Sequence, residues 1–144
     1  MGVGFRCGNV CHLTRHTEIG NQVSLQGTSI TGNGRVVFGD YVRAGMGLLI
    51  LTRNHNYSGT ALPYDKTYVT KDVLIDNLVW IGVNVTLLPG THIGEGAIIQ
   101  AGSVVHGEIP PLAIAGGNPA KVFAWRDRGH FERLKKQGAF QIWQ

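Results

Sequence analysis

The sequence predicts an all-β solenoid of short strand-plus-turn units, and three observations carry that prediction. From Val69 to Val105 a large aliphatic residue stands at every sixth position: Val69, Ile75, Ile81, Leu87, Ile93, Ile99 and Val105. Four residues after each comes a second small or apolar one, the series Val73, Val79, Val85, Thr91, Ala97, Ser103 and Ile109. A period of six fits neither the 3.6 of an amphipathic helix nor the 2 of a half-buried strand. It suits a stack in which each unit places the same side chain above its predecessor. The chain also holds 21 glycines in 144 residues, which suits many tight turns, because glycine adopts positive φ without steric cost.

Taken in order, the rhythm runs in three blocks. The first is anchored at Cys7, Leu13, Ile19 and Leu25, with Cys11, Thr17, Val23 and Ser29 four residues on. Both cysteines fall on stack positions and are expected to act as small buried hydrophobes, neither disulfide-bonded nor metal-bound. The second block holds Phe38, Ala44 and Ile50, offset by one residue, with the insertion expected in the turn Thr31-Gly32-Asn33-Gly34. The next core position would be the polar Asn56, so the chain is expected to leave the coil there. Residues 54–68, NHNYSGTALPYDKTY, form an extruded loop, and a loop that long in a compact repeat is a functional candidate. The third block is the Val69–Val105 series. After Ile109 the rhythm stops at Pro110-Pro111, and a helix is expected around Asp127–Gln137. This divides the chain into a solenoid over 1–109, with the loop at 54–68, and a capping segment over 110–144 that covers strand edges at the end of the stack.

Composition narrows the function classes. The net charge of +4 is partly tail charge (Arg126, Arg128, Arg133, Lys135, Lys136), too thin to imply nucleic acid. No apolar run reaches membrane-spanning length and the N-terminus lacks a signal-peptide pattern, so the expected compartment is the cytoplasm.

His55 is the strongest candidate for chemistry. Imidazole titrates near neutrality and can accept and return a proton, and His55 stands where a rigid wall opens into a loop. Around it Asn54, Asn56, Tyr57, Tyr64 and Asp65 offer the amide, hydroxyl, carboxylate and aromatic groups that suit a polyhydroxylated acceptor, although turn stabilisation accounts for the asparagines equally well. The remaining histidines have no spacing that suggests a metal, and no base partner marks a serine or cysteine nucleophile. Trp80 precedes a core position and should point outward, to pack on another subunit or line a groove. Lys121 and Arg126 are cations near the C-terminal end. Gly116-Gly117-Asn118-Pro119 lacks Walker spacing and reads as a turn.

The pairs Ile19-Gly20, Phe38-Gly39, Ile81-Gly82 and Ile93-Gly94, the run DNLVWIGVNVTLLPGTHIGEGAIIQAGSVV, GGNPAKV after it and Asn54-His55 at the loop edge resemble the hexapeptide-repeat acyltransferases. The likeness is to their maltose/galactoside and xenobiotic O-acetyltransferase branch. It implies a left-handed parallel β-helix, a handedness that runs against the usual crossover rule, and a homotrimer with sites between subunits. It implies acetyl-CoA as co-substrate without a metal, His55 as catalytic base, and direct attack by the acceptor. Coenzyme A contacts are implied at Val83, Ala101, His106, Gly107 and Lys121, with Lys121 and Arg126 as cations that pair with its nucleotide phosphates, and acceptor contacts at Gln26 and Asn33. The activity expected is transfer of an acetyl group to a saccharide hydroxyl, such as that of a surface polysaccharide precursor. The alternatives are O- or N-acetylation of a xenobiotic or amino sugar, and a catalytically silent trimeric binding scaffold.

Overall fold

The computed structural model, which describes residues 1–142, is a parallel β-helix with three faces and left-handed coils. The first face carries Arg6–Gly8, Ser24–Gln26, Arg43–Met46, Trp80–Ile81, Ile98–Ile99 and Ala113–Gly117, with Ala120–Trp125 added antiparallel at its end. The second face stacks Ser29–Thr31, Leu49–Leu51, Thr86–Leu87 and Val104–Val105. The third stacks Thr17–Ile19, Val36–Phe38, Val73–Ile75, His92–Ile93 and Glu108–Ile109.

Neighbouring strands bring Ile75 beside Ile93, Ile81 beside Ile99 and Leu87 beside Val105, so three hexads close one coil. These residues and their partners four positions on, from Val73 to Ile109, are all buried. The two polar partners are satisfied internally, as most buried hydroxyls are. The Thr91 hydroxyl is shared between the Leu88 and Val105 carbonyls at 2.7 and 3.0 Å. Ser103 donates to Gln100 O at 2.6 Å and accepts from Gly117 N at 3.1 Å.

Each corner needs a residue that reverses the chain. Between the third and first faces Gln22, Tyr41, Leu78, Gly96 and Leu112 occupy it, all with φ between 56° and 72°. Side-chain oxygens climb the same corner: Asn77 Oδ1 accepts from Asp40 N at 2.7 Å, Asp40 Oδ1 from Asn21 N at 2.7 Å, and Asn21 Oδ1 from Val3 N at 2.9 Å.

The C-terminal helix, Arg128–Lys136, lies along this corner. Asp127 caps it by accepting from His130 N at 2.7 Å, as the free amides of a helix N-terminus require. Phe131 is buried over Gly96 and Leu112, Arg126 Nε donates to Gly96 O at 2.6 Å, and Lys135 pairs with Glu95 at 2.9 Å. Further on, Phe140 meets the Tyr41 ring with centroids 4.6 Å apart. The tail thus covers the last strand of the first face with Ala120–Trp125 and then runs as a strap down one side. The solenoid itself extends past Ile109, because Ala113–Gly117 pairs with Ile98–Ile99 in register.

Two further expectations change. Val69 is 45% exposed and belongs to a hairpin outside the coil, so the buried series starts at Val73. Cys7 and Cys11 form a disulfide, with Cα atoms 6.6 Å apart. Cys7 is exposed because the first coil has no neighbour on its outer side, so a stack position there is not an interior one.

Gly96 has φ +72°, and a Cβ there would stand 2.6 Å from the Phe131 ring. Gly96→Ala should therefore cost about 1–3 kcal/mol, read as a lower denaturant midpoint with an unchanged slope.

Candidate active site

The chain leaves the coil after the second face at Thr52, whose carbonyl accepts from Lys71 N at 2.9 Å where the chain returns. Between them Arg53–His55 and Tyr68–Thr70 pair antiparallel, with His55 opposite Tyr68. The expected loop is therefore a hairpin, with residues 56–67 at its tip. The exposed His55 ring lies flat against Tyr64, centroids 3.6 Å apart and planes 11° from parallel. Tyr68 packs on it at 4.9 Å, and the Arg53 guanidinium sits 4.0 Å from the centre of the Tyr68 ring. This aromatic column fixes the imidazole plane and leaves its nitrogen-bearing edge as the reactive part.

The loop tip is braced by two side chains. Asp65 accepts from Thr60 N at 2.9 Å, Thr67 N at 2.8 Å and Thr67 Oγ1 at 2.5 Å. Asn56 accepts from Ser58 N and donates to Thr67 Oγ1, both at 3.1 Å. Hydrogen bonds from the Thr67 hydroxyl and amide, then from the Thr60 amide, lower the Asp65 pKa to about 2.

His55 opens onto a cleft of about 290 Å³ lined also by Asn54, Asn56, Tyr57, Lys71 and His106, with Leu88 and Pro89 as its apolar floor. A second concavity, of about 470 Å³, runs along the first face between Trp80, Val83, Ala101, Ile114 and Phe123. It is strongly apolar, and Trp80 and Phe123 are 55% and 60% exposed. The cleft and the groove share no lining residue.

The sequence-derived residues divide accordingly. Asn54, His55, Asn56 and Tyr57 meet in the cleft, Tyr64 covers His55, and Asp65 is committed to the loop's own hydrogen bonds. Trp80, Val83 and Ala101 gather in the groove. His106 instead joins His55, and Gly107 follows it at a corner with φ +78°. Lys121 lies on the closing antiparallel strand opposite Gly116. Arg126 pins the strap to Gly96 and is not in the groove, and burial lowers its pKa. Gln26 sits on the first face and Asn33 in a bend whose flanking Gly32 and Gly34 lie against Thr52, Arg53 and Thr70 at the hairpin neck, and neither lines the cleft. Sequence reasoning missed Lys71, Leu88 and Pro89. The floor residues sit at a coil corner where no motif marks them, and Lys71 is brought in only by closure of the hairpin neck.

The description "bacterial transferase hexapeptide (six repeats)" matches residues 72–107. YvoF of Bacillus subtilis (strain 168), which bears the name of an acetyltransferase, is 36% identical over 104 residues, 70% of this chain and 57% of that one. The chain spans little more than half of that relative. Among solved structures, the hexapeptide-repeat acetyltransferase VCA0836 of Vibrio cholerae superposes with TM-score 0.79 at 25% identity, over 88% of this chain and 74% of the other. The same protein is also known in complex with acetyl coenzyme A. A maltose O-acetyltransferase of Clostridium difficile 630 gives TM-score 0.79 at 26% identity, over 89% and 70% of the two chains.

The depressed Asp65 pKa makes the loop brace fully present above about pH 3.8 and lost as pH falls through about 2. Asp65→Asn should loosen it at neutral pH, giving faster proteolysis within residues 56–67 and a weaker ring-current shift on the His55 protons by NMR.

Proposed function

The chain is a member of the hexapeptide-repeat transferase family, and on that premise we propose that it is an acetyl-CoA-dependent O-acetyltransferase acting on a saccharide hydroxyl. The observation that carries this reading is His55, held edge-on by an aromatic column at the rim of a polar cleft. Acyl transfer to an alcohol needs a base as the oxygen attacks, and a neutral imidazole is suited to that at neutral pH. His55 takes the hydroxyl proton while the oxygen adds to the thioester carbonyl. The tetrahedral adduct collapses by breaking the carbon–sulfur bond, and the imidazolium returns the proton to the departing thiolate. No acyl-enzyme is required.

The cleft's amide and phenol groups suit a sugar, in keeping with the maltose O-acetyltransferase among the structural neighbours. The apolar groove suits the pantetheine arm of acetyl-CoA. In this reading its walls are Trp80, Val83 and Ala101, with Lys121 available for the nucleotide phosphates. Cleft and groove lie on different parts of one solenoid, so the complete site forms where the cleft of one copy faces the groove of another, in a homotrimer. Gln26, on the first face, would contribute to an acceptor site built at such an interface, and Asn33 would contribute from the bend beside the hairpin neck.

His55→Ala should lower kcat by at least about 10²-fold, the usual contribution of a general base, while the sedimentation coefficient and acetyl-CoA affinity by calorimetry stay as in the parent. Turnover near that of the parent would remove His55 as base. A protein that binds no acetyl-CoA would be a scaffold, and a monomer at assay concentration would end the shared-site reading.

A further inference from the structure

We propose that the acceptor carries a negative charge close to the acetylated hydroxyl, recognised by Lys71. This rests on the acetyltransferase reading and narrows it from saccharides in general to those bearing a carboxylate or phosphate group.

Among the described residues lining the cleft, Lys71 carries the one formal charge. The lining also includes the imidazoles of His55 and His106, with no Asp or Glu. Carboxylates are not scarce nearby, but each is turned elsewhere. Asp65, near the loop's return, spends its oxygens on Thr60 and Thr67. Asp72, next to Lys71, accepts from Arg35 N at 2.9 Å. Glu108, two residues after His106, meets His92 Nδ1 at 3.3 Å, while His92 Nε2 lies 3.1 Å from Asp76. Among the described residues no salt bridge engages the Lys71 ammonium.

Lys71 is also held where a substrate would meet it. Its amide closes the hairpin neck on Thr52 O, and its stem passes 3.2 Å from where a Gly90 Cβ would stand. The backbone that sets His55 and the backbone that sets Lys71 are thus the two sides of one neck. Lys71 is exposed and lines the cleft without a counter-charge, and an ammonium beside low-dielectric walls favours an anionic group more than one on open surface would. Acetyl-CoA brings its own negative charges, but they lie on the nucleotide, remote from the thioester that must approach His55. An anion near the reacting hydroxyl must therefore come from the acceptor.

The test compares glucose, glucuronate and glucose 6-phosphate as acceptors for the purified full chain, scoring kcat/KM by thioester cleavage. At least one of the anionic sugars should exceed glucose on the order of tenfold, the scale of a charge-assisted hydrogen bond, and the advantage should shrink at high salt. The better of the two identifies carboxylate or phosphate as the recognised group. Lys71→Met should bring the ratio towards one by raising the acceptor KM, and Lys71→Arg should retain it. Equal use of all three sugars would overturn the proposal. So would a Lys71→Met effect confined to the KM for acetyl-CoA, which would assign the ammonium to the donor's phosphates. NMR titration of the unmodified protein separates the two readings. Larger shifts of the Lys71 and His106 amides with glucuronate or glucose 6-phosphate than with glucose support anion recognition even if transfer is absent, and equal shifts overturn it. Absence of acetyl-CoA binding in calorimetry counts against the acetyltransferase reading alone.

Discussion

The structure depends on one constraint, the in-register stacking of each coil's inward side chains on those of the next. A parallel ladder satisfies backbone donors and acceptors only if every coil repeats its neighbour's path. The narrow interior is filled mostly by aliphatic groups, with Ile75 beside Ile93 and Ile81 beside Ile99, and with Phe38 as the large exception between Ile19 and Ile75. Thr91 and Ser103 enter that column with their hydrogen bonds closed onto nearby coils, whereas the Thr28 hydroxyl is buried without a partner. A wall built this way has no freedom left for chemistry in its interior. Function is therefore confined to outward faces, corners and interruptions.

The interruption after Thr52 illustrates how rigidity is passed on. The hairpin has no core of its own, and its order comes from a short ladder, the rings around His55 and the carboxylate of Asp65. The imidazole is fixed by aromatic contact on its face and stays exposed at its edge. A group that must exchange protons with a substrate needs that combination, since burial would withdraw it and free rotation would dilute it.

Much of this was legible in the sequence because stacking imposes a strict spacing. The partner series from Val73 to Ile109 is buried throughout, and the helix expected over Asp127–Gln137 is present as Arg128–Lys136 with Asp127 as its cap. The departure of the chain near Asn56 was legible for the same reason, as a polar residue at a core position. What escaped was everything that spacing does not govern. Periodicity placed Val69 in the stack, yet hydrogen bonding carries it into the hairpin. It placed Cys7 inside, yet the terminal coil has only one neighbour. Arg126 read as a cation for phosphates, and Lys71 was not singled out at all. Their different roles, one pinning Gly96 O and the other facing a cleft, depend on long-range closure that a linear pattern does not encode.

The strap along the corner alters how the molecule can come apart. A solenoid whose coils touch only their neighbours behaves as a one-dimensional array and can fray from either end, one unit at a time. Here the polypeptide that follows the last coil doubles back, so that Phe140 rests on Tyr41 and Arg43 donates to Gln141 O at 2.6 Å across 98 positions of sequence. Peeling the final coil would strip contacts from the middle of the stack as well. The terminal and central coils therefore share one cooperative unit, and a fold assembled from local repeats acquires the all-or-none character of a long-range one.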